Sequence, residues 1–284
     1  MKQGLLRERI YFFIFKISAV LGISILLVTL VLLFNSGHSV ISWTFLTSHW
    51  QHQNITKGGI FPAILGSLYL GLGVMVISFT LGISTAIFFS EYNKNNLVKR
   101  ILQLTIRNLA GVPSVVYGLF GLAVFVNFFS FGTSLLSAML TLSIMTLPWV
   151  IVATIEAFSA VPQKFRESSL ALGADQWQTI RRVVFPIAIP ASITGGILGV
   201  ARAMGETAPI IIVGATFYLS SLPSSIFDKF MALPYHIFIL ATQHSSPFAT
   251  SYAAGSALVL IALTFLLSLG SIIIRYHLRS KKDW

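Results

Sequence analysis

Cysteine is missing from all 284 residues. That removes disulfide stapling, iron–sulfur ligation and thiol nucleophiles together, and leaves the redox compartment undetermined. Charge is nearly as scarce, at 10% of residues, where soluble domains carry about a quarter. The G-x-x-x-x-G-K-[ST] loop is absent, so the chain has no such cradle for nucleotide phosphates. Also lacking are H-E-x-x-H, a serine elbow and paired carboxylates on one span, and with them the usual grounds for a membrane protease or hydrolase. No fixed-period repeat or low-complexity tract occurs.

Apolar residues dominate instead, at 55% with a mean hydropathy of +0.84, the composition of a polytopic membrane protein. A net charge of +11 in a soluble protein would suggest nucleic acid; here the placement of the charges explains it. Lys2, Arg7, Arg9 and Lys16 lie at or before the start of the first apolar run, and Lys94, Lys99, Arg100 and Arg107 lie between the second and third. Lys164, Arg166, Arg181 and Arg182 fall in a polar interruption, and Arg275, Arg279, Lys281 and Lys282 close the chain. The alternate loops hold only Lys57 and Lys229. This alternation follows the positive-inside rule, puts both termini in the cytoplasm and needs no nucleic-acid partner.

Six apolar runs, each near the roughly 20 residues a bilayer requires, are expected to span it: 12–34, 63–89, 109–131, 135–158, 193–215 and 252–274. The first is too long for a signal-peptide core and stands as an uncleaved span. In the loop 35–62, Trp43 and Trp50 suit a membrane interface, and His38, His49 and His52 fit no metal-ligand spacing. Gly66, Gly71, Gly73 and Gly82 on the second span invite close helix approach, and Pro113 kinks the third. The loop 218–251 reads as an interfacial segment broken by Pro234.

The polar interruption, 160–186, carries helix punctuation of its own. Pro162 suits a first turn, Gly173 a left-handed helix end, Asp175 an N-cap answered by Gln178, and Pro186 a stop. Two short helices meeting at a glycine make a compact knob. Beyond it, Arg202 and Glu206 straddle the midpoint of 193–215, four residues apart on one helical face, with Gly195, Gly196, Gly199 and Gly205 clearing space and Thr207 adding a hydroxyl. An unpaired Arg there costs about 2.5–3.5 kcal/mol, so it must face protein, water or a partner charge. Two readings are open: an ion pair that fixes helix packing, or an anion path. A guanidinium fork suits a tetrahedral oxyanion, with Thr207 beside it and Glu206 accepting a hydrogen bond from the protonated oxygen that phosphate carries and sulfate lacks.

Glu167, Ser168, Ser169, Gly173 and Val183-Val184-Phe185-Pro186 resemble the EAA loop of ABC-importer permeases, with serines for both alanines. Ala201-Arg202-Ala203-Met204-Gly205-Glu206-Thr207-Ala208-Pro209 resembles the A-R-A-L-G-E-T-A-P segment of PstA-type phosphate-importer permeases, Met204 being the single change. Residues 108–118 and Phe230-Met231-Ala232-Leu233-Pro234 are similar to the same family. The resemblance implies an all-α membrane protein of the type I ABC-importer permease fold, with residues 1–62 as first helix and loop, 63–276 as permease domain and 277–284 as basic tail. It implies no enzyme activity and no cofactor on this chain, ATP and Mg being held by a partner. Implied partners are a homologous PstC-like permease, a PstB-like ATPase dimer docked at the 160–186 loop, an extracytoplasmic PstS-like phosphate-binding protein and membrane lipid. Arg202, Glu206 and Thr207 would line the phosphate path, while Glu167, Ser168, Ser169, Gly173 and Pro186 would form the ATPase-coupling loop. A secondary transporter or channel would need no such knob; sulfate, molybdate and phosphonate stand as competing substrates.

Overall fold

The computed structural model describes residues 2–51, 54–92, 96–219 and 222–280, and these are built of helices joined by short connections. The first, α1 (Lys2–Gly37), leads through a 3-10 turn, His38–Val40, to the short α2 (Trp43–Thr47). Then come α3 (Phe61–Ile87), α4 (Asn96–Ala110), α5 (Ser114–Gly121) and α6 (Leu135–Ser159). The knob helices α7 (Gln163–Ala171) and α8 (Gln176–Thr179) precede α9 (Phe185–Ala203), α10 (Ala208–Val213), α11 (Leu233–Thr242) and α12 (Ala249–Ser280). Wider π-helical turns extend α3, α5 and α8 at Phe88–Tyr92, Leu122–Phe128 and Ile180–Val184.

Five helical stretches are long and apolar enough to cross a membrane, and a sixth forms if the bent pair Gln103–Ala110 and Ser114–Phe128 counts as one span. That pair meets at 99°. The break falls at Gly111-Val112-Pro113, where the residue before a proline is pushed out of the helical region and the proline itself opens the next helix. The expected kink is therefore a full corner, and 109–131 is not one straight span.

The bundle core is α3, α6 and α9, each against the other two, with α10 beside α5 and α12 beside α9 and α11. Small residues set the spacing as expected. A methyl group at Gly66 would collide with the backbone carbonyl of Met231, at Gly73 with Met139, at Gly82 with Val150 and at Gly196 with Phe79. Leu70, Val74, Leu142, Val200 and Met204 are buried where these helices meet. The apolar stretch of α1, by contrast, has no buried residues and rests chiefly on α12. Its flanks are a surface for lipid or another chain.

Two expectations about the loops are corrected. The Phe230–Leu233 segment is buried, with Leu233 N–H donating to Ser67 Oγ at 2.8 Å and Thr216 N–H to Phe230 O at 2.9 Å. Nor does Pro234 break a helix: it lies in the first turn of α11, where its missing N–H has no partner to lose. The 222–242 region is thus a plug against α3, and its carbonyls at Asp228 and Ile226 accept from the open N–H groups of Leu135 and Leu136 at the start of α6. Trp50 is likewise buried, set edge-on to Phe217 at 5.0 Å and His236 at 4.6 Å, while Trp43 is exposed. His38 stacks on Phe34 and His49 meets Phe61 edge-on; no metal-competent cluster occurs among the described residues, and His52 lies outside them.

Candidate functional site

The knob forms as its punctuation dictates. Pro162 caps α7, Gly173 follows its end with φ +86°, and Asp175 caps α8 with a reciprocal box: Gln178 N–H donates to Asp175 Oδ1 at 2.7 Å and Asp175 N–H to Gln178 Oε1 at 3.3 Å. Ser169 hydrogen-bonds Thr179 at 2.9 Å, so the serine in place of alanine ties the two knob helices together. Glu167 and Ser168 are exposed. Sequence reasoning missed the apolar residues that follow them: Leu172 is 89% exposed, Trp177 on α8 55% and Leu170 50%. Apolar side chains on an otherwise polar knob are the signature of a contact surface.

Pro186 does not end the unit. The chain is helical without a break from Gln176 to Ala203, and the π-helical turn Ile180–Val184 lies just ahead of the proline. Its ring would press on the carbonyl of Arg182, and the wider turn makes room for it. The half-buried Pro186 therefore joins the knob to α9.

At the far end of α9 the geometry departs from expectation again. The helix stops at Ala203, so 193–215 is not one span and Arg202 and Glu206 do not share a helical face. Pro209 is the cause, since it cannot donate to Gly205 and excludes its carbonyl from a continuous helix. Met204 anchors the break, buried in the space that Gly71 leaves on α3. Gly195 and Gly199 admit α6 at Ala153 and at Thr146 and Trp149.

No ion pair joins Arg202 to Glu206 among the described residues. Instead the guanidinium carbon of Arg202 stands 4.8 Å from the Trp149 ring centroid, within cation–π range. Its place in the last turn of α9 also sets the cation against the negative end of the helix dipole. Arg202 is exposed and Glu206 half-buried, and both line one cleft of about 250 Å³ together with Trp149, Tyr117 and the 109–114 corner. Tyr117 holds that corner by donating its hydroxyl to Leu109 O at 2.8 Å. Thr207, half-buried, precedes α10 and makes no side-chain cap; it borders the break but does not line the cleft. Two broken helices thus face one another across a small polar opening with a cation on one wall. Such an opening can hold a small anion without pairing the cation away.

Comparisons with known proteins bear on the family and the fold. Residues 78–283 match the family described as binding-protein-dependent transport system inner membrane component. A probable ABC transporter permease, YqgI of Bacillus subtilis, is 32% identical over 247 residues, covering 83% of this chain and 84% of the relative. The phosphate transport system permease protein PstA of Mycobacterium leprae is 37% identical over 209 residues, 72% of this chain and 67% of the relative. Among solved structures, a chain of the inward-facing MetNI methionine ABC transporter superposes with a TM-score of 0.62 at 15% identity, covering 77% of this chain and 97% of its own.

Proposed function

This chain belongs to the binding-protein-dependent transport system inner membrane components, and on that premise we propose that it is the phosphate-conducting permease of an ATP-driven importer. It is a multi-pass inner-membrane protein with the type I importer permease fold. The observation that carries the reading is the freedom of Arg202: held over Trp149 and unpaired with Glu206, its fork is left to an oxyanion in the cleft. Phosphate as that anion is supported by the PstA relative.

In this reading Arg202 donates two parallel hydrogen bonds to phosphate oxygens. Glu206, across the break, accepts a hydrogen bond from the protonated oxygen that phosphate retains near neutral pH and repels the fully ionised form, so the anion is selected and then released. Thr207 supports the break. A homologous permease would complete the pathway, and an extracytoplasmic binding protein would deliver phosphate. An ATPase dimer, carrying the ATP and magnesium, would seat on the knob at Glu167, Ser168, Ser169 and Gly173 and on Leu172 and Trp177. Both termini face the cytoplasm; residues 1–62 form an outer helix and loop, 63–276 the permease domain and 277–284 a basic tail. ATP binding would shift the knobs and open the cleft outward, and hydrolysis would reset it.

The test is uptake by the reconstituted complex. Arg202→Ala is expected to abolish phosphate transport while the ATPase still co-purifies, and Arg202→Lys to retain a small fraction. Undiminished uptake by Arg202→Ala overturns the role of Arg202; sulfate displacing phosphate in the unmodified complex overturns the substrate.

A further inference from the structure

A second link joins the knob to the bundle, apart from the continuous helix through Pro186. Arg166 on α7 and Glu91 in the π-helical turn Phe88–Tyr92 form a two-pronged ion pair, Nη2 to Oε1 at 2.7 Å and Nε to Oε2 at 3.1 Å. Their side chains are only 15% and 9% exposed, and this is the sole ion pair among the described residues. Two more guanidinium N–H groups donate to Val161 O at 2.7 Å and Phe158 O at 2.9 Å, at the end of α6. From α8, Gln176 Nε2 donates to the backbone carbonyl of Glu91 at 2.6 Å. Both knob helices therefore grip one residue of α3's extension, and one guanidinium ties α3, α6 and α7 together. The pair stands in the wall of an open cavity of about 720 Å³, so water is at hand should it part.

What α3 does further along its length gives the link a purpose. Gly71 receives Met204, the buried anchor of the break that separates Arg202 from Glu206. A shift of α9 that α3 did not share would strain that anchor. A buried ion pair is a poor device for stability alone, because an apolar contact of the same shape does as well or better, but it fixes register between elements 75 residues apart.

We infer that Glu91 and Arg166 are positioning residues for transport: they lock α3 to the knob, so that force entering the knob moves α3 with α9 and re-forms the cleft around Arg202. The inference rests on the reading of the knob as the ATPase seat.

The experiment uses the complete importer in proteoliposomes and reads ATP hydrolysed per phosphate carried, alongside recovery of the ATPase with this chain. Glu91→Gln keeps the shape and removes the charge; it is expected to retain the ATPase and its basal turnover while the ratio rises about fivefold or more, the lower end of ordinary coupling between sites. Arg166→Lys, with one prong left, falls between it and the unmodified chain. A Glu91→Gln complex with the unmodified ratio overturns the inference, as does one that loses the ATPase, since that is a purely structural effect. If Glu91→Gln does not accumulate, the exposed Gln176→Ala decides: a smaller rise supports the link and no rise overturns it. An unmodified complex that recovers no ATPase sinks the docking reading instead, and this inference with it.

Discussion

Arg202 faces the ring of Trp149 at 4.8 Å and leaves Glu206 unpaired. The aromatic face orients the guanidinium without neutralising it, as a carboxylate would. The expectation of a pair reachable along one helix failed because Pro209 ends that helix, so Arg202 and Glu206 form no structural bridge.

If Trp149 orients Arg202, Trp149→Ala should raise the KM for phosphate uptake by about fivefold with little change in maximal rate, equivalent to roughly 1 kcal/mol of cation–π contact. Trp149→Phe should lie between. A KM unchanged by Trp149→Ala would leave Arg202 positioned by something else.

Gly66 and Gly22 make a matched pair. Gly66→Ala would drive a methyl group into the Met231 carbonyl, a backbone atom that cannot step aside, whereas nothing lies within 4 Å of a methyl at Gly22. Gly66→Ala is expected to cost about 1–3 kcal/mol and to lower the thermal unfolding midpoint in detergent. Gly22→Ala should be neutral or mildly stabilising.

Much of this was legible locally. Gly173, Asp175 and Gln178 announce the knob because helix ends are set by residues within one turn of each other. Four of the expected spans, 12–34, 63–89, 135–158 and 252–274, declare themselves by length and hydropathy, and Gly66 and Gly73 by the packing they invite. The misreadings share a different cause. Trp50 and Phe230 look interfacial until Phe217, Ser67 and His236 come from far along the chain to bury them. The Glu91–Arg166 pair bridges 75 residues that no window covers. Pro186 reads as a stop, and only the π-helical turn before it shows how a helix can continue.

Gly173 tests the knob directly. Its φ of +86° lies where side chains are strained, while the space around it is open. Gly173→Ala should therefore cost about 1–2 kcal/mol from the backbone alone, and Gly173→Asn less. Faster hydrogen exchange at the α8 amides, with the spans unchanged, is the expected readout.

Asp228 sets an acid limit on the plug. Its Oδ2 accepts from the Ser224 hydroxyl at 2.9 Å, Ser225 N–H at 2.8 Å and Ser224 N–H at 2.9 Å, and these bonds hold its carboxyl below the ordinary value. A lowered folded-state pKa means stabilisation that is complete above the unfolded-state value near 3.9 and is lost as pH falls through the folded one. Asp228→Asn should remove that part of the acid sensitivity of unfolding, measured between about pH 2 and 5. An unchanged acid profile would show that the 224–228 turn closes without the charge.

The unbroken helix from the capping box at Asp175 to Arg202 makes one lever of two distant jobs. Its 28 residues reach about 40 Å at 1.5 Å each, so a tilt of about 5° at the knob sweeps the guanidinium end by roughly 3–4 Å, more than the length of a hydrogen bond. A nudge at the surface of the knob is thus enough to displace that cation relative to the cleft it lines.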